Sequence, residues 1–126
     1  MRLLLDSHIL IWWPAGSPRL GRRAKHLISD EATELLVSAA SWWELAIKKS
    51  LGRLQIDLGN AASEFKARGV VTLPVTLAHA QAVVDLAPLH GDPFDRMLVA
   101  QAAVEGLMLL TRDKRLAAYG AMVLCV

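Results

Sequence analysis

Apolar residues along the chain fall into short unbroken runs separated by longer stretches of helical spacing. Leu3-Leu4-Leu5 is the first run, reads as a buried strand, and ends at Asp6. Residues 8–13 have a helical pattern that Pro14 stops. Ser17-Pro18 supplies an N-cap and a proline at the first helical position, which predicts a helix from there through about Ser29. Leu35-Leu36-Val37 reads as a second strand, ending at Ser38. Helices follow over about 40–51, closed by Gly52, and over 59–68, closed by Gly69. Residues 70–75 are apolar and β-branched and predict a third strand, while 76–86 are helical in pattern. Asp92-Pro93 opens a helix that runs to Glu105 and ends at Gly106. Residues 107–110 form a fourth strand, 113–119 a short helix, and 122–125 a last strand. Short strands apolar on both faces, alternating with helices, argue for a parallel sheet covered on both sides. The expectation is one α/β domain over residues 1–126, without repeats or linkers.

Composition narrows this picture. A chain of 126 residues, 54% apolar and 21% charged, is long enough for one real core. The apolar share is rich for that length and leaves two readings open: a well-filled core, or an apolar surface kept for a partner. A formal charge of +2 neither demands nor opposes a nucleic-acid partner. The basic residues are grouped, as Arg19, Arg22, Arg23 and Lys25, then Lys48, Lys49 and Arg53, then Arg112, Lys114 and Arg115. Each group by itself is compatible with a solvated helix face. Cys125 is the only cysteine, which excludes an intramolecular disulfide and a Cys-rich zinc site and fits a reducing cytosol. Asp6 interrupts the N-terminal apolar run, so no signal peptide is expected. No run reaches the ~18 apolar residues of a membrane span. The expected location is the cytoplasm.

The candidate chemistry lies at strand ends. In open α/β sheets, ligands bind in the crevice beyond the carboxyl ends of the strands. Asp6 ends the first predicted strand, Glu44 follows the second within about two turns, and Asp113 follows the fourth through Thr111 and Arg112. Asp95 sits in the first turn of the helix that Asp92-Pro93 opens. Four carboxylates at contact distance raise one another's pKa, and a divalent cation resolves that conflict. Mg²⁺ takes oxygen ligands together with water and a substrate phosphate. Each acid has a structural alternative. Ser41-x-x-Glu44 fits a capping box, Glu44 can pair with Lys48 one turn on, and Asp92, Asp95 and Asp113 all suit helix starts.

At these residues the chain resembles the PIN-domain ribonucleases, and within them the VapC-type toxins of bacterial toxin–antitoxin pairs. Leu4-Leu5-Asp6-Ser7-His8 with Trp12-Trp13 resembles the family's opening block, and residues 38–48, with Glu44, resemble its second. His90-Gly91-Asp92-Pro93-Phe94-Asp95-Arg96-Met97-Leu98 is the most specific match, and Leu110-Thr111-Arg112-Asp113 resembles the closing block. The resemblance spans essentially the whole chain. It implies a single three-layer α/β/α PIN-like domain on a central parallel sheet. It also implies Mg²⁺ or Mn²⁺ held by Asp6, Glu44, Asp95 and Asp113, and endonucleolytic cleavage of RNA. The partners it implies are a cognate VapB-type antitoxin, whose C-terminal segment occupies the active-site groove, and a second copy in a homodimer. The alternative is a non-catalytic RNA- or metal-binding module on the same fold. Two departures stand out: Ser7 replaces the commoner threonine, and Pro14 directly after Trp13 shortens the first helix.

Other residues take supporting roles in this reading. Ser7, Ser38, Ser41 and Thr111 are candidates to hydrogen-bond the carboxylates or a bound water, with helix capping as the rival. Arg96 and Arg112 are candidate phosphate or carboxylate partners. His8 and His90 flank proposed ligands, but the oxygen preference of Mg²⁺ argues against a direct metal role for either. The four tryptophans form two adjacent pairs, Trp12-Trp13 and Trp42-Trp43. Neighbours on a helix point apart, so one of each pair is expected to face outward, at a dimer or antitoxin surface.

Overall fold

The strand β1 (Arg2–Leu5) carries leucine at its three inner positions, and all three are fully buried. A strand so placed must be covered on both faces, and the computed structural model, which describes residues 1–126, shows how. β1 pairs in parallel with β2 (Glu34–Ser38) on one side and with β4 (Met108–Thr111) on the other. β3 (Val71–Leu73) extends the sheet beyond β2 and β5 (Val123–Cys125) beyond β4, both parallel. The order is therefore β3-β2-β1-β4-β5.

Alternation along the strands splits the core in two. Leu3, Leu5, Leu35, Val37 and Leu110 face one side. There they meet Ile9 and Leu10 of α1 (Ser7–Trp12), Ala24 and Ile28 of α2 (Arg22–Ser29), Leu45 of α3 (Ala39–Ser50) and Phe65 of α4 (Leu58–Ala67). Leu4, Leu36 and Leu109 face the other side and meet Leu98, Val99 and Ala102 of α6 (Pro93–Glu105) and Leu116 of the 3₁₀ segment Lys114–Tyr119. This is the expected three-layer α/β/α fold on a parallel sheet.

The chain steps outward from β1 through β2 to β3, then crosses back to β4 and continues to β5. Right-handed crossovers send the connecting helices to opposite faces when the stepping direction reverses. The reversal leaves a crevice at the carboxyl ends of β1 and β4, where Asp6 and Thr111 lie.

Three boundaries differ from the sequence expectation. The predicted helix from Ser17 to Ser29 is two pieces, a 3₁₀ turn at Pro18–Leu20 and α2, because Gly21 has φ +78° and ψ 161°. That conformation is open only to glycine, and a Cβ there would also run into the Arg112 guanidinium. The third strand is shorter than residues 70–75, since Pro74 has no N–H to continue the ladder. The Ser41-x-x-Glu44 capping box does not form; Ser38 is the N-cap of α3, its hydroxyl accepting from the Ala40 N–H at 3.0 Å.

α5 (Leu77–Val84) lies against α6 and is anchored by the fully buried His79. His79 Nδ1 accepts the Thr76 N–H at 3.0 Å, and its Nε2 lies 2.8 Å from a Glu105 carboxylate oxygen. No helix is long and apolar enough to cross a membrane. The apolar surplus is spent partly outside the core: Leu77 is 73% exposed and Val84 82%.

Candidate metal centre

Parallel pairing of β1 with β4 sets Asp6 beside Thr111, and Asp6 accepts no N-capping bond although it precedes α1. Its carboxylate is turned into the crevice instead. Asp6 is 3% exposed, and Oδ2 accepts the Thr111 hydroxyl at 2.6 Å. Ser7 Oγ donates to Glu44 Oε1 at 2.6 Å and lies 3.4 Å from Asp6 Oδ1, so one hydroxyl ties the first acid to the second. Glu44, on the buried side of α3, also pairs with Lys48 Nζ at 3.1 Å.

The other two acids approach from the opposite layer. Asp92 caps α6, with Oδ1 accepting the Phe94 and Asp95 N–H groups at 2.8 and 3.1 Å. That cap fixes the first turn of the helix and with it Asp95, the next acid on it. Asp95 Oδ2 stands 2.7 Å from His90 Nε2. The carboxyl of Asp95 is pushed up to about 6, first by burial and then by the charges of Asp6 and Asp92, against the lowering effect of the His90 hydrogen bond. Asp113 caps the 3₁₀ segment and is gripped by Arg115, whose Nη2 and Nε lie 2.8 and 3.2 Å from Oδ2. That grip holds the Asp113 carboxyl below the usual range.

His90, Asp95 and Asp113 present one ligand atom each within 4.8 Å of one another. The charge of Asp6 acts on Asp95 from the strand side. Each acid is attended by a donor of its own: Thr111 for Asp6, Ser7 and Lys48 for Glu44, His90 for Asp95, Arg115 for Asp113. The half-buried Asp95 carboxyl is pushed up to about 6 chiefly because burial disfavours its charged form, with the charges of Asp6 and Asp92 adding to the effect. Hard oxygen donors so gathered fit a divalent cation.

The remaining candidates sort by geometry. Ser38 acts as a helix cap, and Ser41 Oγ is buried without a hydrogen-bond partner. Arg96 is engaged away from the acids: it donates to the carbonyls of Val83 and Ala87 and to the Tyr119 hydroxyl, which itself donates to Ala87. It braces the turn that carries His90. Arg112 is exposed beside Gly21. Trp42 and Trp13 pack edge-on against Phe65, Trp12 stacks on His8, and Trp43 is 63% exposed against Phe94. The Trp42-Trp43 pair thus divides as expected, whereas Trp12 and Trp13 are both half-buried. Sequence reasoning set His90 aside as a site residue; its only signal was its place at the head of the His90-to-Asp95 block.

The acidic crevice lies at the switch point of a doubly wound parallel sheet, the place where open α/β proteins bind their ligands. The PIN domain model matches residues 3–122, and the chain belongs to the PIN-domain family. It is 38% identical over 116 residues to Ribonuclease VapC22 of Mycobacterium tuberculosis (strain ATCC 25618 / H37Rv), covering 90% of this chain and 88% of that one. Its fold is similar to that of VapBC2 from Rickettsia felis bound to a DNA fragment from its promoter, with a TM-score of 0.71 at 12% identity, covering 100% and 98% of the chains. VapBC-1 from nontypeable Haemophilus influenzae gives a TM-score of 0.65 at 17% identity over 99% and 98%.

Proposed function

We propose that this chain is a metal-dependent endoribonuclease, the toxin of a type II toxin–antitoxin pair, with Asp6, Glu44, Asp95 and Asp113 as its metal-binding acids. The observation that carries the reading is the linked pair of contacts in the crevice, Thr111 to Asp6 and Ser7 to Glu44, with the half-buried Asp95 near enough for the charge of Asp6 to act on it. The relative named Ribonuclease VapC22 supports RNA as the substrate, and the fold shared with VapBC toxin–antitoxin proteins supports an antitoxin partner.

Mg²⁺ or Mn²⁺ bound there supplies Lewis acidity toward a phosphate oxygen and lowers the pKa of a bound water. The chain's own residues do the rest. Thr111 and Ser7 hold the Asp6 and Glu44 carboxylates in fixed orientations, so little reorganisation is needed when the phosphodiester arrives. His90 keeps the Asp95 carboxyl in place. Arg112, exposed next to Asp113, is available for the backbone of the substrate, whereas Arg96 serves the fold. A cytoplasmic homodimer is part of the same proposal, with the exposed apolar residues of α5 as surface available for a second copy.

The test is cleavage of a mixed RNA pool by purified protein in Mg²⁺, in Mn²⁺ and in EDTA, beside Asp6→Asn and Asp95→Asn. Metal-dependent cleavage that both variants lose supports the reading. Near-wild-type turnover in both variants would remove these acids from the site. Metal binding without cleavage of any RNA points to a non-catalytic module.

A further inference from the structure

Resting on the reading of this crevice as a metal centre, we infer that His90 is itself a ligand through Nε2, making a mixed nitrogen–oxygen site that favours Mn²⁺ over Mg²⁺. The ring is only 8% exposed, and it stands between two acids, with Nε2 at 2.7 Å from Asp95 Oδ2 and 4.0 Å from Asp113 Oδ2. Around a six-coordinate ion, neighbouring donors lie about 3 Å apart and opposite ones about 4.2 Å apart, since each bond is about 2.1 Å. The observed 2.7 and 4.0 Å lie a few tenths of an ångström inside those separations, so the three groups need only part slightly to admit an ion. The nitrogen is therefore placed to share an ion with one oxygen of Asp95 and one of Asp113.

The placement is imposed by the fold. Arg96 and Tyr119 both bind the Ala87 carbonyl, which anchors the turn between α5 and α6, and Asp92 fixes its far end as the cap of α6. His90 lies between these anchors. Nδ1 makes no hydrogen bond to protein, so no protein contact ties the ring to one tautomer and Nε2 is the nitrogen that faces the acids. Imidazole nitrogen is a donor that Mn²⁺ accepts and Mg²⁺ takes reluctantly. Discrimination between the two ions thus comes from one side chain outside the four acids. The second histidine near the site, His8, reaches only to 3.9 Å from Asp6 and is 55% exposed.

Pulsed electron paramagnetic resonance of the full chain loaded with Mn²⁺ reads this directly. The wild type should show ¹⁴N coupling of a directly bonded imidazole, and His90→Gln should lose it while still binding Mn²⁺. Titration calorimetry should find Mn²⁺ affinity in His90→Gln reduced at least about tenfold, and Mg²⁺ affinity reduced much less. Circular dichroism confirms that the variant folds. Labelling the histidines of His8→Gln protein with ¹⁵N tests ligation without altering His90, because the coupling must change with the isotope. Bound Mn²⁺ with no nitrogen coupling overturns the inference and leaves His90 as a brace for Asp95. Coupling that survives in His90→Gln overturns it in favour of His8. Failure of the wild type to bind either ion removes the metal centre itself, a distinguishable result.

Discussion

Half-buried near Asp6 and Asp92, the Asp95 carboxyl keeps its proton until about pH 6 rather than its ordinary 3.8, so the folded metal-free chain binds this proton more tightly than the unfolded one. The stability this contributes is fully present below pH 3.8 and is lost as pH rises through 6. In EDTA, Asp95→Asn should therefore have a higher urea midpoint than the wild type at pH 7.5, with the difference shrinking toward pH 4. An unchanged difference across that range would show that the charge of Asp95 costs the fold nothing. Thr111→Val tests the opposite kind of contact. It removes the 2.6 Å donor to a buried carboxylate, which should cost about 1.5–3 kcal/mol in urea denaturation and about tenfold in Mn²⁺ affinity. At this scale Asp6 and Thr111 were legible as polar residues closing apolar strands, whereas the places of Glu44 in α3 and Asp95 in α6 depend on the helices that carry them. His90 was not legible, since an argument from the oxygen preference of Mg²⁺ discards a nitrogen donor before its distance is known. For Ser38 the sequence leaves a site role and a helix cap both open, because a hydroxyl at a strand–helix junction suits either, and the structure shows the cap on α3.

The elements were legible wherever a terminator stood in the sequence. Asp92-Pro93 and Gly106 bound α6 as expected, the glycine in the left-handed region at φ +66°. The break at Gly21 escaped notice because the residues on either side keep a helical pattern, and only the backbone angle reveals the interruption. Gly21→Ala should destabilise the chain by about 1–3 kcal/mol, measured by urea unfolding, because alanine resists that conformation. It also meets the Arg112 side chain. An equal loss in Gly21→Ala combined with Arg112→Ala would assign the whole effect to the backbone, and a smaller one would give the guanidinium a share. The turn before α6 illustrates a different limit. Arg96 looks from sequence like a phosphate partner beside Asp95, yet its three hydrogen bonds go to Val83, Ala87 and Tyr119, partners from two other segments of the chain.

For the molecule as a whole, runs such as Leu3-Leu4-Leu5 announced a sheet buried on both faces, but pattern alone does not say which strands are neighbours. The order β3-β2-β1-β4-β5 decides where the crevice opens and why Asp6 comes to lie beside Thr111, more than a hundred residues later in the chain. A dication bound there should stabilise the whole domain, since it binds the folded state only. At a hundred times its dissociation constant the gain is about 2.7 kcal/mol, visible as a rise of several degrees in the melting temperature. Below pH 6 the proton on Asp95 competes with the ion, so the melting shift should fade on acidification. A shift that persists undiminished at pH 5 would place the ion away from Asp95.

The partnership of the first strand with the fourth also bears on how the protein is made. Leu3 of β1 stands opposite Met108 of β4, so one flank of the central strand stays unfilled until more than a hundred further residues have been synthesised. Ribosomes add about 5–20 residues per second, and the nascent chain waits seconds with half of its crevice missing. Asp6 and Thr111 can meet only after residue 111 has been made and released from the ribosome. A chain with the proposed activity would thus be harmless to the RNA around it until β4 has emerged and joined β1.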